Sequence, residues 1–260
     1  MLAMEEQVAV LNSGISAVAL AGDRVAGFLG LSARAPSGNP EERWVDMAIA
    51  ATTSDNGHPG QALALMLEAA RPLLGPHDVT GLICLTNSEW LQRALAEIGF
   101  KEEDRVLSYV RDPHRPAPAI RPVARLRTIR PGDADAVLSL NAAVFAPIWH
   151  YSPATLLNWI LTADHAVLAE MDGQPSGFAL TTAPNSSGHA QLIRVATHPE
   201  AQCQGIGRQL VADAVRYALD EEGASLWLNT QASNALARHL YEALDFHLVP
   251  GELSVLVLRV

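Results

Sequence analysis

Gln202-Cys203-Gln204-Gly205-Ile206-Gly207 runs straight into an amphipathic stretch, residues 208–222, and the reading of that junction decides the fold. Two glycines one residue apart let the backbone turn with its N–H groups inward. The helix that follows adds unpaired amide donors and a partial positive charge. Such a junction cradles an anion, a phosphate in particular. A Gly-x-Gly turn also precedes many ordinary surface helices, so the surrounding sequence has to separate the two readings.

Outward from the junction the chain repeats itself. Residues 17–30 read AVALAGDRVAGFLG and residues 166–180 read AVLAEMDGQPSGFAL. Each is two apolar runs joined by a Gly/Asp turn, the pattern of a β-hairpin, and each carries a Gly-Phe pair, Gly27-Phe28 and Gly177-Phe178. Gly60 opens an apolar-periodic run to Leu74 just as Gly205 opens the run to Leu219, and the spacing of both predicts helices. A short strand follows in each half, residues 81–85 and 225–230, then a second helix ending before Phe100 or Phe246. The matched positions lie about 150 residues apart throughout, which predicts two related units.

Prolines at 113, 116, 118 and 122 mark a linker between the halves, because such a segment prefers extended geometry and cannot continue a helix. The expected boundaries are a first unit over 1–112, the linker over 113–123 and a second unit over 124–260. The second unit opens with a strand at 125–129. Pro131-Gly132-Asp133 then starts a helix to about Phe145, with Asp133 and Asp135 well placed at its N-terminus. The first unit lacks this opening and is shortened. The fold class is therefore α/β (α+β), two tandem units, each a mixed, mostly antiparallel sheet flanked by helices.

Composition limits the partners. With 260 residues, 49% apolar and 18% charged, the chain can bury one large core or two modest ones. The 28 acidic residues exceed the 18 basic ones, Lys101 is the one lysine, and the net charge is −10. Nucleic acid is excluded as the main partner, because a phosphate-backbone footprint needs clustered positive charge. A cationic small molecule or peptide would be steered better. Cys84 and Cys203 lie far apart without metal-ligand spacing, which predicts reduced thiols, no metal and a cytoplasmic setting. Glu5 and Glu6 stand where a secretory leader would be basic, and no apolar run reaches the ~18 residues of a membrane span.

The order strand, helix, hairpin, strand, Gln-x-x-Gly-x-Gly, helix, strand, Asn-x-x-Ala-x-x-Leu-Tyr, Phe resembles the GCN5-related N-acetyltransferase (GNAT) family over residues 125–260. The carriers are Val195-Ala196-Thr197-His198-Pro199-Glu200, the loop Gln202-x-x-Gly205-x-Gly207, Asn234-x-x-Ala237, and Leu240-Tyr241-Glu242 ahead of Phe246. A degraded unit followed by an intact one is also the organisation of mycothiol synthases. The resemblance implies acetyl-CoA as co-substrate. Its pyrophosphate would meet the loop Gln202 and the amides of Gln204, Gly205, Ile206, Gly207 and Arg208. Its pantetheine arm would pair with backbone along Val195 and Thr197, where the two strands splay, with Asn234 nearby. An amide near Val195 would face the oxyanion. Tyr241 matches the family's proton donor, a phenol able to protonate a departing thiolate.

The general base is harder to place. Ribosomal-protein N-terminal acetyltransferases of the family resemble residues 228–234 but carry glutamate where this chain has Asn229, and asparagine cannot accept the proton at neutral pH. The candidates are His189, His150, or a water chain held by Gln191 and Asn229. Histidine is chemically apt because its pKa lies near ~6.5.

Acceptor identity should reside in residues 145–165, which hold Trp149, His150, Tyr151 and Trp159. Those rings form either an acceptor pocket, suited to a cationic amine, or a plug between the units.

In the first unit Gly57-His58-Pro59-Gly60-Gln61-Ala62 replaces the intact loop, Leu95 replaces the tyrosine and Ser88 the asparagine. Leucine cannot protonate a thiolate, so this unit is expected to be inert. The expected function is N-acetylation of a primary amine on a small molecule or peptide, with the chemistry in the second unit. The alternative is a non-catalytic acyl-CoA-binding sensor. A dinucleotide-binding reading fails because Leu210 stands where a third glycine is required.

Overall fold

The computed structural model describes residues 15–34, 43–53, 58–74, 79–220 and 223–259. Gly57 of the degenerate loop lies outside them. The chain divides into two compact units, Met1–Arg105 with Leu253–Val260, and Val106–Glu252.

In the first unit the expected hairpin is β1 (Ser16–Ala21) and β2 (Arg24–Ala33). Its turn has Gly22 at φ 62°, as a two-residue hairpin requires. Strand β3 (Trp44–Thr52) pairs antiparallel with β2, and helix α1 (Pro59–Ala70) crosses to β4 (Gly81–Thr86). Strands β3 and β4 run parallel, but their pairing covers only Trp44, Val45 and Asp46 against Gly81, Leu82 and Ile83. Helix α2 (Glu89–Glu97) follows, and residues Ser254–Arg259 return to lie antiparallel on β4. The core is Leu29, Leu31, Leu63, Met66, Leu82 and Leu95 with their neighbours.

The second unit begins within β5 (Lys101–Arg111). The proline-rich segment that follows is irregular from Asp112 to Ala124 and is fastened at both ends. Buried Arg111 donates to the carbonyls of Leu244, Arg115 and Pro116. Gln209 accepts from the amides of Val123 and Ala124 and donates to the Ala124 carbonyl.

Strand β6 (Arg125–Thr128) leads to a 3-10 turn, Pro131–Asp133, and helix α3 (Ala134–Val144). A 3-10 turn at Pro147–Trp149 and helix α4 (Pro153–Thr162) occupy the aromatic segment; Ser152 caps α4 by accepting from the Thr155 amide. The hairpin is β7 (His165–Met171) and β8 (Gln174–Thr181), turned by Asp172 and Gly173 at φ 51° and 76°. Strand β9 (His189–Thr197), helix α5 (Ile206–Asp220), strand β10 (Ser225–Gln231), helix α6 (Ala235–Glu242) and strand β11 (Phe246–Arg259) complete the chain.

The sheet of this unit runs β5-β10-β9-β8-β7-β6, with β10 and β9 parallel and the other pairs antiparallel. One core packs around α5, with Leu192, Leu210, Val211, Leu226, Tyr241 and Phe246. A second packs around α3 and α4, with Val137, Leu140, Leu156, Leu168 and Phe178. The repeated Gly-Phe pair has a packing cause: a Cβ on Gly177 would stand 2.7 Å from the Ala196 carbonyl and 3.1 Å from Leu210, so side-chain bulk there would push α5 off the sheet. Among the described residues no helix is long and apolar enough to cross a membrane.

Candidate functional site

The central feature of the second unit is a parting of two strands. Parallel pairing of β9 with β10 covers Ser225 to Leu228 against His189 to Leu192 and then stops. Beyond it β9 stays on β8 and β10 stays on β5. A bulge where β8 passes from Leu180 to Thr181 marks the departure on the β9 side. A cleft of about 310 Å³ fills the gap, lined by Leu192 through Thr197, Asn229 through Gln231, and residues of α6 and of the loop before α5.

The β9 edge of the gap presents backbone. The His198 amide donates to the Ser176 carbonyl at 2.9 Å, which sets the phase of the β8–β9 ladder. In an antiparallel pair hydrogen-bonded and non-hydrogen-bonded residues alternate. Val195 and Thr197 therefore turn their N–H and C=O groups away from β8, toward the gap. The Thr197 carbonyl already accepts from the Gln202 side chain at 3.2 Å, which ties the loop to the strand end.

The loop itself is an amide-rich turn. Cys203 and Gly205 adopt φ 60° and 90°, and the first intrahelical bond of α5 runs from the Gln209 amide to the Gly205 carbonyl at 3.0 Å. The amides of Gln204 through Arg208 precede that bond and have no helical partner. A Cβ on Gly207 would stand 3.3 Å from Thr197 Oγ1 and 3.5 Å from Leu240, in the space a ligand would need. Gly205, Gly207, Gln202 and Arg208 line the cleft. Ile206 is 1% exposed in the core and offers only its amide, and the Gln204 side chain turns back to the Glu200 carbonyl.

Tyr241 closes the other end. Helix α6 is capped by Asn234, whose Oδ1 accepts from the Ala237 amide, which leaves its –NH2 available to the cleft. Two turns on, Tyr241 is 5% exposed with its ring between Tyr109 and Phe246. Its hydroxyl has no hydrogen bond within the protein and is not sealed from solvent. Burial pushes the phenol up to about 12, so it stays protonated across the neutral range.

Asn229 lines the cleft, and the Ser108 hydroxyl donates to its Oδ1 at 2.9 Å. His189 does not join it. It sits at the start of β9, ahead of the lining, and its Nδ1 meets Ser225 Oγ at 2.6 Å. His150 is likewise absent from the lining, its Nε2 held by the Phe145 carbonyl at 2.6 Å. Among the described residues the lining holds no Asp, Glu or His, and its charged side chains are Arg194 and Arg208. Among the described residues no three His, Cys, Asp or Glu side chains gather as a metal site.

Arg194 is a further residue of the site that the sequence reading did not single out. A charge within the apolar run Leu192-Ile193-Arg194-Val195-Ala196 was its signal in the sequence. It is 8% exposed, and Phe145 and Tyr151 stand over its guanidinium at 3.4 and 4.8 Å. Burial lowers its pKa to about 10, which leaves it charged at neutral pH. Tyr151 in turn packs edge-on against Trp159 at 4.4 Å. The aromatic segment thus builds a wall around Arg194 within this unit.

In the first unit the position of Tyr241 is taken by fully buried Leu95, and Ser88 begins α2 without a side-chain cap bond.

Residues 134–246 match the model of the acetyltransferase (GNAT) family. A mycothiol acetyltransferase of Acidimicrobium ferrooxidans is 32% identical over 206 residues, covering 71% of this chain and 64% of the relative. The chain spans about half to two thirds of the length of the mycothiol acetyltransferases it matches. A GCN5-related N-acetyltransferase from Sphaerobacter thermophilus shares the fold at a TM-score of 0.67 and 16% identity, covering 99% of this chain and 86% of its own. A tandem GNAT protein from the clavulanic acid biosynthesis pathway does so at 0.63 and 19%, covering 94% and 83%.

Proposed function

Because residues 134–246 belong to the GNAT acetyltransferase family, we propose that the chain transfers an acetyl group from acetyl-CoA to a primary amine of a small molecule or peptide, in the cleft of the second unit. The observation that carries this reading is the parting of β9 from β10 at Leu192 and Leu228, with free amides at one end of the gap and the unbonded Tyr241 hydroxyl at the other. Acetyl-CoA supplies a thioester carbonyl and a thiol leaving group.

The amides of Gln204 through Arg208 hold the pyrophosphate, aided by the Arg208 charge. The edge of β9 accepts the extended arm as a partial strand, and the Val195 amide points at the carbonyl oxygen as negative charge builds there. Tyr241 keeps a proton beside the leaving sulfur. Its high pKa makes it a hydrogen-bond donor to the thiolate, while the net proton comes from the nitrogen as the amide forms. Among the described residues no carboxylate or imidazole lines the cleft, so water beside Asn229 and Gln231 relays that proton to the departing thiolate. The first unit, with Leu95 for the tyrosine, has no such donor. The free thiols of Cys84 and Cys203 suit a cytoplasmic setting.

Thiol release from acetyl-CoA, measured over a panel of amines that includes the substrate of the mycothiol acetyltransferases, tests the reading. Acceleration by at least one amine, lost in Tyr241→Phe, is the expected result. The missing side-chain base favours a second reading, an acyl-CoA sensor. Tight CoA binding with no amine-dependent release would select it.

A further inference from the structure

The Arg194 guanidinium is buried, and among the described residues it has no counter-charge. Its hydrogen bonds go to neutral acceptors alone: Nε and Nη2 to Asn141 Oδ1 at 3.0 and 2.8 Å, and Nη2 to the Trp149 carbonyl at 2.9 Å. Burying a cation without an anion is costly, and a protein that only needed to fill this space could use an apolar side chain. The geometry also fixes which part of the group remains available. Asn141 holds one edge, and the guanidinium carbon lies over the rings of Phe145 and Tyr151, 3.4 and 4.8 Å from their centroids. Nη1 keeps two N–H groups without a protein acceptor and is not sealed from solvent. Arg194 lines the same cleft as Tyr241, next in sequence to Val195, whose amide faces the gap.

Charge in the cleft points the same way. Arg208 stands in the first turn of α5, beside the loop where a pyrophosphate fits, and among the described residues Arg194 is the one other charged side chain of the lining. A cationic acceptor would meet a fixed like charge there, despite the acidic composition of the whole chain.

We infer that Arg194 anchors the acceptor: the amine that enters this cleft carries an oxyanion, a carboxylate or a phosphate, which accepts from Arg194 Nη1 while the nitrogen faces the acyl group. The inference rests on the acetyltransferase reading for the nitrogen and on the buried charge for the anion.

Thiol release by the full chain is compared within pairs that differ in the anion: glycine with glycinamide, phenylalanine with phenylalaninamide, phosphoethanolamine with ethanolamine. A charge-assisted hydrogen bond predicts a kcat/KM about tenfold or more higher for the anionic member of at least one pair. The pair that responds separates carboxylate from phosphate. Arg194→Gln should erase the preference while the affinity for CoA stays within about twofold, and Arg194→Lys should keep part of it. Equal or better turnover of the neutral members by the unaltered protein overturns the inference, as does a preference that survives Arg194→Gln. Should Arg194→Gln fail to fold, the unaltered protein and Arg194→Lys decide. Should no amine release thiol, the transferase reading fails separately. Calorimetry with CoA present then compares N-acetylglycine and N-acetylphosphoethanolamine with N-acetylglycinamide. Binding of an anionic compound alone supports the anchor, and its absence overturns it.

Discussion

Ser108 Oγ donates to Asn229 Oδ1 at 2.9 Å across the register pair that joins β5 to β10. Asn229 offers the cleft its –NH2 as a donor, and a carboxamide is not basic enough to take a proton at neutral pH. With no acid or imidazole among the described residues of the lining, the rate should follow the fraction of free amine, rising with pH until the acceptor's own pKa is passed. Asn229→Glu should raise kcat/KM at neutral pH about tenfold and shift the profile toward lower pH. A profile of the unaltered protein that levels off near pH 6.5 for every amine would instead reveal an imidazole base.

Tyr241→Phe should lower amine-dependent thiol release about 100-fold, the smaller end of what loss of one positioned donor to a developing anion costs. The Kd for acetyl-CoA and the melting temperature should hardly move, because the hydroxyl bonds to nothing in the protein. The phenol is raised from 10.0 to about 12 by burial, so loss of its proton should not depress the rate between pH 8 and 10. The stability sign follows from the same shift. A raised folded-state pKa gives stability that is complete below pH 10 and is lost as pH rises through about 12. Alkaline unfolding should therefore be shallower in Tyr241→Phe.

How much of this was legible in the sequence depended on whether the signal was local. Period-2 and period-3.6 patterns with their turn residues exposed the hairpins, α1, α5, and the loop whose Gly205 sits at φ 90°. The parting of β9 from β10 was legible only through family resemblance, since pairing is a long-range property that neither strand encodes alone. Helix α4 was hidden inside an aromatic segment read for chemistry. His189 was chemically apt yet lies outside the cleft lining, because distance in space cannot be read from residue type. Arg194 is marked in the sequence only by a charge that interrupts an apolar strand.

Asp133 governs the acid limb. It accepts from the Arg130 amide at 2.7 Å and pairs with Arg127, which also reaches Glu170 at 2.7 Å. The Arg127 hydrogen bonds, then the Arg130 amide, lower its pKa from 3.8 to about 2. A depressed carboxylate contributes stability that is present above the unfolded value and lost as pH falls through about 2. Asp133→Asn should cost roughly 1 kcal/mol at pH 7, once solvent screening is allowed for, and flatten the decline below pH 4 in chemical denaturation. An unchanged acid limb would assign that decline to other carboxylates.

The two cysteines give a readout of where CoA lies that does not depend on turnover. Cys203 is exposed, lines the cleft, and sits at φ 60° in the turn ahead of the free amides. Cys84 is buried in the first unit, and burial, with Asp46 as the smaller cause, pushes its thiol up to about 12, so almost no thiolate forms at neutral pH. Iodoacetamide should label Cys203 in the native protein and reach Cys84 only after denaturation, because the thiolate is the reactive form. Saturating desulfo-CoA, which brings the pyrophosphate without a competing thiol, should slow Cys203 labelling at least fivefold. Protection of Cys203 requires a ligand seated over the loop, whereas binding elsewhere would leave the labelling rate unchanged and remove the pyrophosphate from the amides of Gln204 through Arg208.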